Sequence, residues 1–516
     1  MVVAALLVGV GWSLASPPGS APDDNWHMPS IWCAPGASSD VCGAVEGRSD
    51  LRLLPAEVAS STCFVQDPTK SGACQYDQDG VLTLDTEVST GNWLHSYPPV
   101  FYMFMHLFIT DHLYSSVVLM RLANVVLTVL SVALLVLLVP SRLRSVATLP
   151  IALTTIPLGL SLLASTNPSA WAYVSAATLW VSLYASFEVL GRRRWSLWAY
   201  ALVMTVIGAG SRADSALFCV MAVGLVLLLR LPRLISDKRG LIVPLACAVV
   251  GGAFFLTSGQ SNAVSTGFGG TPAPTTSVIE LTIANIQQLP VLWFGSLGFG
   301  FMGSIGWLDT VFPPVLFFLT VAAWAGVVFA ALRVQSKLKI AALVALSVAI
   351  TVYPLYLLAK SRLPVGQGFQ PRYVLPILVI LTGVCLLPVA GDRLRLNKLQ
   401  AYVAAAALSI AQFVALYTQI RRYVTGNDKS GFDLDRGREW WWDWPVSATA
   451  VWIVASAAFA VLGIGLFRML TVDPRETASP SSSIGDSHPA QAVDEHTDAP
   501  VEARGTPRRL PQPTSS

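Results

Sequence analysis

Long apolar runs separated by short polar turns dominate the first 470 residues. Runs near 2–16, 116–139, 146–163, 171–190, 196–210, 214–230, 241–257, 313–332, 340–358, 373–390, 399–420 and 446–467 approach the ~20 apolar residues that a helix needs to cross the hydrocarbon core. The pattern predicts an all-α integral membrane protein with about twelve transmembrane helices. A further apolar stretch, 100–109, is too short to span and predicts a re-entrant or surface helix. Residues 278–294 read as an amphipathic segment lying along the membrane surface. The first run lacks the basic n-region of a signal peptide; it reads as a span whose start lies upstream, with a cleaved signal as the rival reading.

Composition agrees: 53% of the residues are hydrophobic and 12% charged, against about 25% charged in soluble domains. A net charge of +3 makes no case for a nucleic-acid partner. The position of the charges says more. Arg142 and Arg144, Arg192 to Arg194, then Arg230, Arg233, Lys238 and Arg239 occupy alternate turns. Arg333, Lys337 and Lys339, then Arg393, Arg395 and Lys398, continue the series. Lys and Arg mark cytoplasmic loops, and with twelve spans all of these turns fall on one side. Both termini are then inside a multi-pass protein of the bacterial plasma membrane, and the segments 17–97, 258–312, 359–372 and 421–445 are outside. Residues 1–470 form the membrane domain. Residues 471–516, rich in Pro, Ser, Thr, Asp and Glu, read as a disordered cytoplasmic tail.

Cys33, Cys42, Cys63 and Cys74 all lie in the first outer loop, where an oxidising exterior permits disulfides. Four cysteines allow three pairings, and sequence does not choose among them. The shortness of the closed loops favours Cys33–Cys42 and Cys63–Cys74. A metal site is the rival reading, but no CxxC spacing is present. This loop is too long for a connector and predicts a small folded cap. The Gly/Ser/Thr/Pro-rich stretch 258–277 reads as mobile. In the last outer loop, clustered tryptophans from Trp440 to Trp444 suit an interfacial anchor, with a sugar-stacking platform at Trp441 as the sharper reading. No GxxxxGK[ST] occurs, which argues against an ATP-driven pump.

Candidate chemistry concentrates just after the first run, in Pro22-Asp23-Asp24-Asn25-Trp26-His27. An acid at the membrane surface can act as general base on an acceptor hydroxyl, or hold a divalent cation such as Mg or Mn against a phosphate. Two adjacent acids repel, which raises one pKa. The plainer alternative is a solvated acidic turn followed by a helix N-cap. Cations that could meet a phosphate are Arg212, Lys360, Arg362 and Arg372, all at outer ends of predicted spans, where snorkelling to lipid headgroups is the bland reading. Arg121 lies inside a span, where an unpaired charge is costly; it pairs within the bundle or meets the donor phosphate. His27, His95, Tyr97 and Asp309 are further candidates for the substrate site, each with a structural reading beside it. Asp214 is read as a helix cap or a partner of Arg212, and Asn167-Pro168 as a turn between spans.

The Pro-Asp-acid-x-x-His arrangement resembles a widespread family of bacterial membrane proteins, actinobacterial in type, grouped with the GT-C glycosyltransferases. His95-Ser-Tyr-Pro-Pro-Val-Phe-Tyr102, Thr166-Asn-Pro-Ser169, Ser211-Arg-Ala-Asp214, Gly306-Trp-Leu-Asp-Thr310 and Gln370-Pro-Arg-Tyr373 fit the same pattern in order. The resemblance implies a GT-C-like fold and transfer of a sugar from a polyprenyl-phosphate donor to a cell-envelope glycan or lipid acceptor outside the membrane, with inversion. It implies a catalytic or metal-linked role for Asp23 or Asp24, Asp23 first. The family more often carries Asp-Glu where this chain has Asp23-Asp24, which leaves the second acid's role less defined. The competing class is a secondary transporter or lipid-linked glycan flippase. Transporters often show internal repeats and mid-span acids, and neither is visible here. A scaffold for envelope assembly that has lost catalysis is the third reading.

Overall fold

The computed structural model describes residues 1–78, 82–262, 266–267, 277–333, 336–388 and 394–471. The tail beyond residue 471, most of the stretch 258–277, and Arg393 lie outside the described residues. Met1–Val472 forms one compact unit.

Each of the twelve apolar runs is helical. In chain order the helices are α1 (Val2–Leu14), α2 (Asp24–Trp32), α3 (Ala56–Ala59), α4 (Val100–His106), α5 (Leu113–Leu138), α6 (Arg144–Thr154), α7 (Leu158–Leu163), α8 (Ser169–Ser186), α9 (Gly191–Ala209) and α10 (Ala213–Leu229). They continue as α11 (Leu231–Ser236), α12 (Ile242–Thr257), α13 (Val278–Gly295), α14 (Pro314–Ala331), α15 (Lys337–Ser361), α16 (Leu375–Cys385), α17 (Lys398–Val424) and α18 (Ala448–Arg468). The run 146–163 is divided into α6 and α7. Among the described residues, six helical stretches are long and apolar enough to cross a membrane: Leu113–Leu138, Lys238–Thr257, Pro314–Ala331, Lys337–Ser361, Lys398–Val424 and Ala448–Arg468. Val2–Leu14, Ala213–Leu229 and Leu375–Cys385 are apolar but shorter.

Burial orders these helices. Every residue of α8 is buried, as expected of a helix that is apolar all round. It packs against α5, α6, α9, α10 and α16 and forms the axis of the bundle. By contrast α5 leaves Leu119, Val126, Leu130, Leu134 and Leu137 exposed on its outer side, the face such a helix turns to lipid. Local chemistry sets several starts. Ser277 and Glu280 form a reciprocal capping box on α13, and Asn397 and Gln400 do the same on α17.

The first loop folds as the predicted cap. Strands β1 (Ser38–Ser39), β2 (Cys42–Val45), β3 (Arg48–Pro55) and β4 (Leu84–Val88) make an antiparallel sheet in the order β1-β2-β3-β4. Its disulfides join Cys33 to Cys42 and Cys63 to Cys74, the short-loop pairing. The tryptophan cluster seats the cap. Trp440, Trp441 and Trp442 are all buried, and the Trp442 indole N–H donates to Leu14 O at 2.7 Å.

The basic turns gather at one end. Arg142 and Arg230 both pair with Glu188, and Arg194 pairs with Asp237 at 2.7 Å. Lys339 Nζ donates to the carbonyls of Arg333, Cys385 and Leu387. Asp23 and the cap belong to the opposite end, since α16 runs from beside Arg372 down to Cys385.

Candidate functional site

The turn from Ser16 to Asp24 connects α1 to α2, and the carbonyls of Ser16, Pro17, Pro18, Gly19 and Pro22 are each claimed by a distant side chain. Arg121 of α5 donates to Ser13 O and Ser16 O at 3.0 and 2.6 Å, and to Pro17 O at 2.8 Å. Gln75 of the cap donates to Pro18 O at 2.9 Å, and the Trp307 indole to Gly19 O at 2.9 Å. Asn167 donates to Pro22 O at 2.7 Å. The buried Arg121 charge thus faces the carbonyl end of α1, where a cation is favoured. Both of its Nη groups are taken up within the bundle, while its Nε is buried and makes no hydrogen bond within the protein. Gly19 suits its place doubly. Its φ is +78°, and a Cβ there would sit 2.3 Å from Ser61 O.

The turn presents its two acids very differently. Asp24 is fully buried; Ala21 N–H donates to it at 3.0 Å and Thr166 Oγ1 at 2.6 Å. Burial pushes its carboxyl up to about 6, with Thr166, Arg121 and Ala21 moderating the rise. Asp23 is the N-cap of α2, held in the left-handed region at φ 61°, ψ 22°. For an aspartate this is a strained conformation that the surrounding bonds must over-determine. Its side chain retains 42% of its exposure.

Against Asp23 stands Arg372, whose side chain is 2% exposed. Arg372 Nη2 donates to Asp23 Oδ2 at 2.5 Å and to the Tyr373 hydroxyl at 2.9 Å. Burial alone raises the Asp23 carboxyl, but the charges of Arg372 and Arg212 outweigh it and hold the group below the usual carboxylate range. Arg212 is buried and makes a two-pronged pair with Asp214 at 2.8 and 2.9 Å. Its guanidinium lies 5.0 Å over the Tyr373 ring and 5.5 Å over Tyr97; that of Arg372 lies 4.9 Å over Tyr373. Nη1 of Arg212, and both Nη1 and Nε of Arg372, are buried and make no hydrogen bond within the protein. Buried charged donors of this kind call for an acceptor, and a planar fork suits a phosphate.

An aromatic wall completes the site. His27 Nδ1 is 2.9 Å from the Tyr102 hydroxyl, and its Nε2 makes no hydrogen bond within the protein. Burial pushes the His27 imidazole down to about 3, so the ring is neutral at pH 7. Tyr97 packs 4.7 Å from Trp26 and 5.7 Å from His27. Its segment is stitched to the second outer loop, because His95 O and Ser96 O accept from Gly259 and Gln260 N–H. The stretch 100–109 supplies α4, short and docked, with Val100 and Phe101 N–H donating to Gly210 O just before Arg212.

The other sequence candidates lie elsewhere. Asp309 accepts from Arg422 at 2.9 Å, and Arg422 also donates to Phe64 O and Lys70 O, so this pair fastens the cap. Trp441 is buried with its N–H donated to Val446 O, leaving no open face for a sugar. Arg362 and Lys360 are exposed at the end of α15, and His95 is exposed. Thr166, Asn167 and Tyr373 are the contributors that residue-by-residue reading undervalued; the order of the short motifs was their only signal. Among the described residues, no three His, Cys, Asp or Glu side chains group to hold a metal ion. Asp23 and Asp24 also give their oxygens to different partners.

The arrangement defines a helical membrane protein with an acid–arginine site beneath a disulfide-bonded cap at one end of its bundle. A model of the family described as "Predicted membrane protein (DUF2142)" matches residues 6–381, and the chain belongs to that family. No curated protein matches the sequence. Among solved structures, the crystal structure of ArnT from Cupriavidus metallidurans in the apo state is similar at 14% identity, covering 91% of this chain and 76% of that one, with a TM-score of 0.36.

Proposed function

We propose that this protein is a GT-C-type glycosyltransferase that moves a sugar from a polyprenyl-phosphate donor to an envelope glycan or lipid acceptor. The observation that carries the reading is the juxtaposition of a half-open carboxylate, Asp23, with two buried arginines that hold unused donors. Twelve spans, with both termini cytoplasmic and the cap outside, fit the gathering of basic turns at the end of the bundle away from Asp23.

In the proposed reaction the donor phosphate takes the free N–H groups of Arg372 and Arg212. Neutralising Arg372 removes the largest of the charges that hold the Asp23 carboxyl low, so burial counts for more and makes it a better base. Asp23 accepts the proton of the acceptor hydroxyl while that oxygen bonds to the anomeric carbon. The bond from that carbon to the phosphate oxygen breaks, and the polyprenyl phosphate leaves with the electron pair, stabilised by the arginines. One direct displacement inverts the anomeric centre. Asp24 acts through Thr166 and Ala21 to hold the turn.

The test is transfer of radiolabelled sugar from a panel of polyprenyl-phosphate donors by purified protein, with Asp23→Asn at equal folded amounts. Transfer that collapses in the variant is expected. Absence of transfer from every donor, with lipid-linked glycan still crossing proteoliposomes, would overturn the reading in favour of a flippase.

A further inference from the structure

A groove of about 980 Å³ runs between α5 and α9. Its walls include Leu119, Leu130 and Leu138 of α5 and Ala199 and Val203 of α9, and Phe108 closes one end. From Leu119 to Leu138 the groove follows α5 for about 28 Å, close to the whole hydrocarbon thickness. The polar tip of Tyr200 within it is satisfied, donating to Ser131 O at 3.0 Å.

The other end opens beside a strongly basic surface. Arg193 lies across the end of α5, donating to Leu138 O and Val139 O at 2.5 and 2.6 Å. Arg192 O accepts the hydroxyl of Ser196, which lines the groove. The turns 139–144, 187–195 and 230–241 together carry nine Lys or Arg residues and two acids. Both acids are already committed, Glu188 between Arg142 and Arg230, and Asp237 to Arg194. Arg144, Arg192, Arg193, Arg233, Lys238 and Arg239 stay exposed. Trp195, 68% exposed and one residue from Ser196, stands where an amphipathic ring meets headgroups.

We propose that this continuous arrangement is a binding site for an anionic phospholipid. The phosphate sits at Arg192 and Arg193, and the acyl chains lie in the adjoining half of the groove, whose length suits one leaflet at ~15 Å. Charge complementarity selects the headgroup, and the apolar walls select the chains. The site is independent of the reaction at Asp23 and lies at the other end of the bundle.

Native mass spectrometry of the protein from phosphatidylcholine nanodiscs doped with phosphatidylglycerol tests it, alongside Arg192→Gln and the groove-filling Ala199→Trp. Wild type is expected to retain phosphatidylglycerol in preference to phosphatidylcholine. Arg192→Gln should weaken that preference about fivefold, the effect of one basic residue near a lipid surface. Ala199→Trp should displace the lipid with the arginines intact. Equal retention of both lipids by wild type, retention of a long isoprenoid instead, or an unchanged preference in both variants at unchanged thermal stability would overturn the proposal.

Discussion

At the scale of single residues, adjacent acids have opposite fates because of partners far away in sequence. Asp24 is sealed by Thr166, 142 positions on, whereas Asp23 meets Arg372, 349 positions on. Replacing Asp23 by Asn should lower transfer by roughly 10²–10⁴-fold, the range for a positioned base, and should also cost stability, because the buried Arg372 keeps its charge and loses its carboxylate. Arg372→Lys should cost roughly 10²–10³-fold, since an ammonium cannot present the same fork. The two perturbed groups at the site give opposite pH signatures. Asp24, raised to about 6, contributes stability that is full below the ordinary carboxylate value and is lost as pH rises through 6. His27, depressed to about 3, contributes stability that is full above its ordinary value and is lost as pH falls towards 3. Between pH 4 and 6 these slopes oppose. Melting temperatures followed over that interval should rise more steeply with pH in Asp24→Asn than in wild type, and should flatten or fall with pH in His27→Gln. The sequence marked both acids and Arg372 but ranked the acids only through resemblance. Nothing within a few residues of position 24 reports that Thr166 will cover it.

At the scale of elements, the cap is a clamp on the turn that bears Asp23. Just outside the Cys63–Cys74 bridge, Gln75 Nε2 donates both to Ser61 O and to Pro18 O. Arg422 holds Phe64 O and Lys70 O of the same segment from α17. A Cys63→Ser, Cys74→Ser protein should therefore lose about 2–5 kcal/mol of stability, measured by thermal unfolding in detergent, and should lose transfer activity beyond that loss as the turn loosens. Apolar run length located the helices because bilayer thickness dictates the length of a span, and six of the described helices are long and apolar enough to cross; the short closed loops favoured the disulfides that form. In the cap, β1 is two residues long, too brief for a pattern of period two, and the eight residues of β3 pass from exposed to buried without alternating. The tryptophan run was read as an interfacial anchor or a sugar platform. The indoles of Trp440, Trp441 and Trp442 are buried, those of Trp441 and Trp442 bonded to the Val446 and Leu14 carbonyls, whereas Trp444 is exposed as an anchor would be.

At the scale of the whole molecule, the basic turns and the acid–arginine site occupy opposite ends, which gives the proposed orientation a direct check. A membrane-impermeant maleimide should label Ser49→Cys in intact cells and Ser236→Cys only after permeabilisation; the reverse pattern would invert the protein. The same long reach between partners bears on how the molecule is made. Asp23 leaves the ribosome 349 residues ahead of Arg372. At about 5–20 residues per second, that interval is roughly 20–70 s. For that time the nascent chain carries an acid without its arginine, and a cap whose cysteines are open to oxidants but whose seat on α17 has not been synthesised. The acid–arginine pair and the seat of the cap are therefore completed only once α17 has been made, so a chain truncated or stalled before it lacks the assembled site.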